Sequence, residues 1–153
     1  MNLDKTYRIQ TVVPIIGSLF SLIFVLILHG AVPFLMLPTL GQAIWLTGFA
    51  QSFANNSIFS IYATNFGYPE PAAIAFGLSG AYPISLLIRL GIHPADAYAF
   101  IYALWLTISF LGAWKIARNH FKLCAKYSSL MYVVRLSQPI VWSHAGNSAL
   151  AIG

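Results

Sequence analysis

The feature that most constrains this chain is a run of 61 residues, from Ile9 to Pro69, that contains no Asp, Glu, Lys or Arg. Soluble globular domains carry about 25% charged residues. This chain of 153 residues carries 7% and is 59% hydrophobic. Such a sequence cannot build a polar surface around itself, and its hydrophobicity also excludes intrinsic disorder. The composition therefore predicts a protein surrounded by lipid.

The first apolar segment begins at Val12, continues without a charge to Leu28 and extends towards Pro33. Its length suffices for a helix across about 30 Å of hydrocarbon. Because Lys5 and Arg8 precede it, a cleaved signal peptide is the alternative, although no small-residue cleavage site follows in a polar context. We expect a transmembrane helix over residues 12–33.

A second apolar segment, residues 97–114, is followed at once by basic residues: Lys115, Arg118, Lys122 and Lys126. Basic residues beside a span favour the cytoplasmic side, and the amino-terminal segment is basic as well. We therefore expect both ends in the cytoplasm and residues 34–96 as one long outer loop. The net charge of +5 does not indicate nucleic acid as a partner, because the basic residues flank apolar segments and form no single stripe.

The expected outer loop is itself apolar and contains two helix candidates, residues 39–54 and 72–90. In the first, apolar residues recur at helical spacing, which predicts a helix lying on the membrane surface: Leu40, Ile44, Trp45, Phe49 and Phe53. In the second, Ala73, Gly77 and Ala81 form a stripe of small residues that favours close helix contact. The alternative is that both candidates cross the membrane, which gives four spans before Lys115.

Residues 128–150 form a third candidate span, in which Arg135 and Gln138 share one helical face. An arginine within lipid is costly, so Arg135 is expected to face protein, water or a bound anion. If the segment is only juxtamembrane, Arg135 joins the cytoplasmic basic residues. The uncharged end at Gly153 favours a single membrane domain, residues 1–153, that is a fragment of a larger polytopic protein.

Glu70 is the candidate catalytic carboxylate, because Pro69 and Pro71 stiffen the backbone on both sides of it. A carboxylate held in this way can act as a general base on a substrate hydroxyl. The alternative is that Glu70 stabilises the amino terminus of a helix beginning near Pro71. Asp96 is the reserve candidate, and its alternative is capping of the second span, since it follows Pro94 in the first turn.

Arg89 and Arg135 are the candidate phosphate ligands, since the guanidinium group matches phosphate oxygens. The alternative for Arg89 is an interfacial anchor that reaches the lipid head groups. The four histidines and the single cysteine lack metal-ligand spacing, so we expect no metal site. No dinucleotide, P-loop, zinc-protease or serine-hydrolase motif is present, and no cofactor is expected.

The order of these segments resembles the amino-terminal part of polytopic GT-C-type glycosyltransferases, which move a sugar from a polyprenyl-phosphate carrier. The resemblance is carried by the stretch GAYPISLLIRLG at residues 80–91, by residues 96–118 and by residues 136–139. It implies an outer active site in which Glu70 or Asp96 deprotonates the acceptor hydroxyl, while basic groups, here Arg89 and Arg135, contact the lipid phosphate. Members of that family place an acidic residue soon after the first span, and this chain has none between Leu28 and Pro69.

The sequence thus predicts an all-α, polytopic integral membrane protein of the bacterial inner membrane. It has a cytoplasmic amino terminus, two or three transmembrane helices, and membrane-lying helices in a long outer loop. The expected function is that of an incomplete glycosyltransferase, inactive alone, acting on a cell-surface glycan or lipid. Its expected partners are membrane lipid, a polyprenyl-phosphate-linked sugar, and the remaining spans of a larger protein or a partner membrane protein. The alternatives are a transporter or flippase fragment and a small non-catalytic accessory subunit.

Overall fold

The computed structural model describes residues 3–36, 42–56, 62–64, 69–73 and 78–136, and these form a mostly helical protein. The helices are α1 (Leu3–Leu28), α2 (Gln42–Asn55), α3 (Leu78–Arg89), α4 (Pro94–Asn119) and α5 (Ala125–Leu136). Two strands of two residues, β1 (Tyr62–Ala63) and β2 (Ala72–Ala73), pair antiparallel between α2 and α3. The predicted helical class is confirmed in this coarse form, whereas the strand pair was not predicted.

α1 ends at Leu28, although the first span was expected to reach Pro33. Gly30 adopts a left-handed φ of 64°. The Gly30 N–H donates to the Ile27 carbonyl at 3.0 Å, and the Ala31 N–H donates to the Leu26 carbonyl at 2.8 Å. These two bonds pair carbonyl groups that a helix end leaves without partners, and they turn the chain away from the helix axis. The expected carboxyl end of the first span is therefore wrong.

α4 contains the whole of the second predicted span and extends beyond both of its ends. Pro94 opens the helix, where its fixed φ suits a first turn, and the His93 ring accepts a hydrogen bond from the Ala95 N–H at 3.3 Å. With 26 residues, α4 is about 39 Å long, more than the roughly 30 Å of a hydrocarbon core. Among the described residues it is the one helix that is long and apolar enough to cross a bilayer, and residues Ile15–Leu28 form a shorter apolar helix.

α4 is the common packing surface for two groups of helices. Its first half contributes to a core with α2, β1 and α3 that contains Leu46, Phe49, Ala50, Phe53, Ala63, Ala81, Ile84, Ala97, Tyr98 and Ile101. Its middle part contributes to a core with α1, α5 and the turn after α1 that contains Val25, Ala31, Tyr102, Leu106, Phe110 and Tyr132. The rings of Tyr98 and Tyr102 stack with centroids 6.0 Å apart and so connect the two cores.

α1 and α4 are antiparallel. At one end, the Tyr102 hydroxyl lies 3.3 Å from His29 Nδ1, so the end of α1 is beside the first turns of α4. Further along α4, Trp114 lines a cleft together with Ile15 and Leu19 of α1. The amino-terminal end of α1 and the carboxyl-terminal end of α4 therefore lie at the same end of the protein, and both carry basic residues in the sequence.

The two helices of the expected outer loop are too short to cross a bilayer. α2 has 14 residues and α3 has 12, which correspond to lengths of about 21 Å and 18 Å. The four-span alternative does not fit these lengths. The predicted stripe of small residues is also wrong, because Ala73 lies in β2, paired with Tyr62, while Ala81 is buried in α3. Gly77 lies outside the described residues.

α2 buries one narrow face against α3 and α4. Leu46, Phe49 and Phe53 are buried at helical spacing, whereas Ile44 is 71% exposed and Trp45 is 50% exposed. The predicted apolar face was too wide, because Ile44 and Phe53 are nine residues apart and therefore lie about 180° apart around a helix. Phe49 and Phe53 therefore contact protein and not lipid. Leu40 lies outside the described residues, and a position of α2 on the membrane surface stays a prediction.

α5 covers the first part of the third predicted span. The helix ends at Leu136, and residues 137–150 of that span, with Gln138 among them, lie outside the described residues. A third transmembrane crossing stays a prediction.

Candidate functional site

Glu70 lies in a bend immediately before β2, and its side chain is exposed. Pro71 leads into a strand, and the next helix, α3, begins only at Leu78. The alternative in which Glu70 stabilises a helix beginning near Pro71 is therefore wrong. The carboxylate is left accessible, and its catalytic role stays a prediction.

The strand pair that follows Glu70 is attached to the carboxyl end of α2. Thr64 lies next to β1, and its hydroxyl accepts a hydrogen bond from the Asn56 side chain at 3.0 Å. The Thr64 N–H donates to the Ser52 hydroxyl at 3.1 Å. β1 pairs with β2 through the partners Tyr62 and Ala73. The segment that carries Glu70 is thus held, through this pairing, to the end of α2.

Arg89 binds the same end of α2. Its Nη2 group donates to the Phe53 carbonyl at 2.8 Å and to the Asn56 carbonyl at 2.6 Å. The last carbonyls of a helix lack partners within the helix and lie at the negative end of its dipole, so a cation is favourable there. The side chain is exposed and turns towards protein backbone, and the interfacial-anchor interpretation stays a prediction. Its Nη2 group is already engaged, and any phosphate would have to bind the other guanidinium nitrogens.

Asp96 connects the start of α4 to the chain after α1. Its Oδ1 atom accepts a hydrogen bond from the Phe34 N–H at 3.0 Å, and Phe34 has a left-handed φ of 65°. The residue lies in the first turn of α4, where a negative charge is favourable, but the side chain that caps this helix belongs to His93. One oxygen of the reserve catalytic carboxylate therefore has a structural partner.

The second predicted phosphate ligand, Arg135, lies on α5, and its side chain is outside the described part of the chain. The basic residues at the end of α4 and the start of α5, here called the basic cluster, are all exposed: Lys115, Arg118, Lys122 and Lys126. Arg118 lies over the Trp114 ring at 5.5 Å from its centroid. In the described ranges no three His, Cys, Asp or Glu side chains lie close enough together to hold a metal ion.

Sequence reasoning missed a groove between α1 and α5. It has a volume of about 700 Å³ and is lined by residues of both helices and the link before α5, among them Phe20, Phe24, Lys126, Leu130 and Val133. The Ser18 and Ser129 hydroxyls hydrogen-bond between the helices at 2.8 Å. These serines are 111 positions apart, so the sequence around either serine could not indicate that α1 and α5 pair. The only signal available was the position of Lys126 at the edge of an apolar segment.

Comparison of the chain with protein-family models, with curated proteins and with solved structures gave no match. The resemblance to the glycosyltransferases therefore rests on the order of segments in the sequence.

Proposed function

We propose that this chain is a helical membrane protein inserted through α4 and through α1, whose charge-free part, residues 9–28, is about 30 Å long. The observation that carries the proposal is the apolar outer surface of these two helices. On α4, exposed side chains recur along one face: Phe100, Leu104, Ile108 and Leu111. On α1, Leu19 is 56% exposed and Phe20 is 68% exposed. Burial of one such side chain is worth about 1.5–3 kcal/mol, so lipid is a far better solvent than water for this surface.

The proposed topology follows from the antiparallel pairing of α1 and α4. Both basic ends lie at one end of the protein, and by the positive-inside rule that end is cytoplasmic. α2, α3 and the segment bearing Glu70 then lie on the outer side. Flotation tests the insertion itself: after a carbonate wash, the expressed protein is expected to float with the membrane fraction. Recovery of the protein in the carbonate supernatant would contradict the proposal.

Within this topology we propose that the chain contributes to a GT-C-type glycosyltransferase, together with further spans of a longer protein or a partner. The support is an accessible carboxylate, Glu70, whose segment is held to the same end of α2 as the cation Arg89. In this chemistry Glu70 takes the proton of the acceptor hydroxyl, the acceptor oxygen forms a bond to the anomeric carbon, and the carrier phosphate leaves with the electron pair. A nearby cation stabilises the departing phosphate.

The test is sugar transfer from a radiolabelled polyprenyl-phosphate donor in membranes containing the complete gene product. Glu70→Gln removes the base and is expected to lower transfer at least about 100-fold while leaving protein abundance unchanged. Tyr62→Phe, a change at a neighbouring exposed position, is the matched control and is expected to retain transfer. Transfer at the control's rate in Glu70→Gln would remove Glu70 from the mechanism.

The second candidate is a non-catalytic accessory subunit, and a specific observation favours it. Both charged side chains hydrogen-bond to backbone groups of another part of the fold. Arg89 joins α3 to α2, and Asp96 joins α4 to the chain after α1. In an accessory subunit Glu70→Gln has no effect on any transfer reaction, and changes at Arg89 or Asp96 act only through stability. Measuring transfer and thermal stability on the same variants separates the two candidates.

A further inference from the structure

The described lining of the groove between α1 and α5 is mostly apolar and includes one cation, Lys126. We propose that the groove binds one anionic phospholipid of the bilayer, with an acyl chain lying in the groove and the head-group phosphate at Lys126. This inference rests on the proposed membrane insertion and is independent of sugar transfer.

The size and lining of the groove suit a hydrocarbon chain. Its volume of about 700 Å³ falls within the roughly 300–1,000 Å³ typical of small-molecule sites. Phe20 and Phe24 supply the α1 wall, and Leu130 and Val133 supply the α5 wall. All four are apolar, so a polar ligand would lose hydration along most of its length.

The hydroxyl groups in the groove already bond to protein. Ser21 donates to the Gly17 carbonyl at 2.9 Å, Ser129 donates to the Ala125 carbonyl at 3.0 Å, and Ser18 bonds to Ser129. The ammonium group of Lys126 is the charged group of the lining, and it offers three donors. Among the described residues of the lining there is no acidic residue that would compete for it. This combination selects a ligand with an apolar body and one anionic end.

The spacing along α5 places the cation and the apolar residues in the order that a phospholipid requires. Lys126, Leu130 and Val133 are separated by four and three residues, so they follow one another along the same face of the helix. Lys126 is one residue into α5 and belongs to the basic cluster, whereas Val133 lies two turns further along. A phosphate at Lys126 therefore directs the acyl chain along Leu130 and Val133. In the proposed topology this end faces the cytoplasmic leaflet, whose anionic lipids attract basic residues.

Native mass spectrometry of the purified full chain in a neutral detergent tests the site without requiring insertion or sugar transfer. The probes are phosphatidylglycerol and phosphatidylcholine with identical acyl chains. The first phosphatidylglycerol molecule is expected to bind about fivefold more tightly than phosphatidylcholine, the preference that one basic residue near an anionic head group provides. Lys126→Gln is expected to remove this preference, and Lys115→Gln, an exposed lysine outside the groove, is expected to keep it.

Leu130→Trp tests the acyl-chain part of the site. Leu130 is 54% exposed, so a larger side chain fills the groove without disturbing the core. Binding of the first molecule of both lipids is expected to weaken. The proposal is overturned if Lys126→Gln and Lys115→Gln have equal effects, which indicates diffuse surface charge. It is also overturned if Leu130→Trp leaves binding unchanged, which indicates that another part of the chain or a second copy occupies the groove.

Discussion

Arg89 Nη2 lies 2.8 Å from the carbonyl oxygen of Phe53, and this hydrogen bond joins the end of α3 to the end of α2. The two residues are 36 positions apart, and the same nitrogen also reaches the Asn56 carbonyl. Arg89 thus stabilises the packing of α3 on the end of α2, to which the segment carrying Glu70 is also held.

Arg89→Ala is expected to lower the free energy of unfolding by about 1–2 kcal/mol, because the carbonyl groups of Phe53 and Asn56 lose their charged hydrogen-bond donor. The loss stays this small because the Arg89 side chain is exposed. Thermal unfolding of the detergent-solubilised protein, followed by circular dichroism, measures the change. Lys115→Ala, at an exposed position of α4, is the control and is expected to fall within about 0.5 kcal/mol of the parent. Equal stability of the two variants would contradict the structural role of Arg89.

Gly91→Ala is expected to destabilise the protein by about 1–2 kcal/mol, because Gly91 has a φ of 88° that disfavours a side chain. Gly112→Ala is the matched control. At both positions an added Cβ meets no atom within 4 Å, so only the backbone conformation differs. Gly112→Ala, within α4, is expected to stabilise the helix by about 0.5–1 kcal/mol. A lower melting temperature for Gly91→Ala together with a higher one for Gly112→Ala would support the left-handed conformation of Gly91 after α3. Shifts in the same direction would argue against it.

Asp96→Ala is expected to cost about 1–2 kcal/mol, since the Phe34 N–H loses its acceptor and the first turn of α4 loses a favourable negative charge. Asp96→Asn keeps a side-chain oxygen and is expected to retain at least half of that stability. Denaturation of both variants under the same detergent conditions measures the difference. If Asn is as costly as Ala, the hydrogen bond to Phe34 does not contribute.

The Ser18–Ser129 contact is expected to couple α1 to α5. A double-mutant cycle with Ser18→Ala and Ser129→Ala is expected to give an interaction energy of about 0.6 kcal/mol, the average for hydrogen bonds between membrane helices. Ser21→Ala paired with Ser129→Ala serves as the comparison, because Ser21 bonds within its own helix. Equal interaction energies in the two cycles would argue against a direct bond between Ser18 and Ser129.

Local patterns in the sequence were sufficient to locate α2 and α4. The charge-free segment 97–114 predicted α4, and the apolar spacing in residues 39–54 predicted α2, which runs from Gln42 to Asn55. Pro94 and Gly91 mark two boundaries through their backbone preferences, which act on neighbouring residues alone.

Most of the missed features depend on contacts between distant residues, whereas the end of α1 at Leu28 follows from the local turn at Gly30. The pairing of Tyr62 with Ala73 replaces the start of the second helix candidate by a strand. The hydrogen bonds from Arg89 to α2 and from Phe34 to Asp96 join residues that are far apart in the sequence. The periodicity of a helix cannot predict that such residues are in contact. The candidate site residues were chosen by charge in an apolar chain, and charge alone could not distinguish a residue that binds a ligand from one that binds the backbone.

Labelling of Cys124 measures whether α1 and α4 insert with both basic ends on the cytoplasmic side. Cys124 is the only cysteine of the chain, it is exposed, and it lies in the link between α4 and α5. A membrane-impermeant maleimide is expected to label Cys124 in inverted membrane vesicles but not in intact spheroplasts. Glu70→Cys in a Cys124→Ser background is expected to show the reverse pattern. Labelling of both positions from the same side of the membrane would rule out this topology.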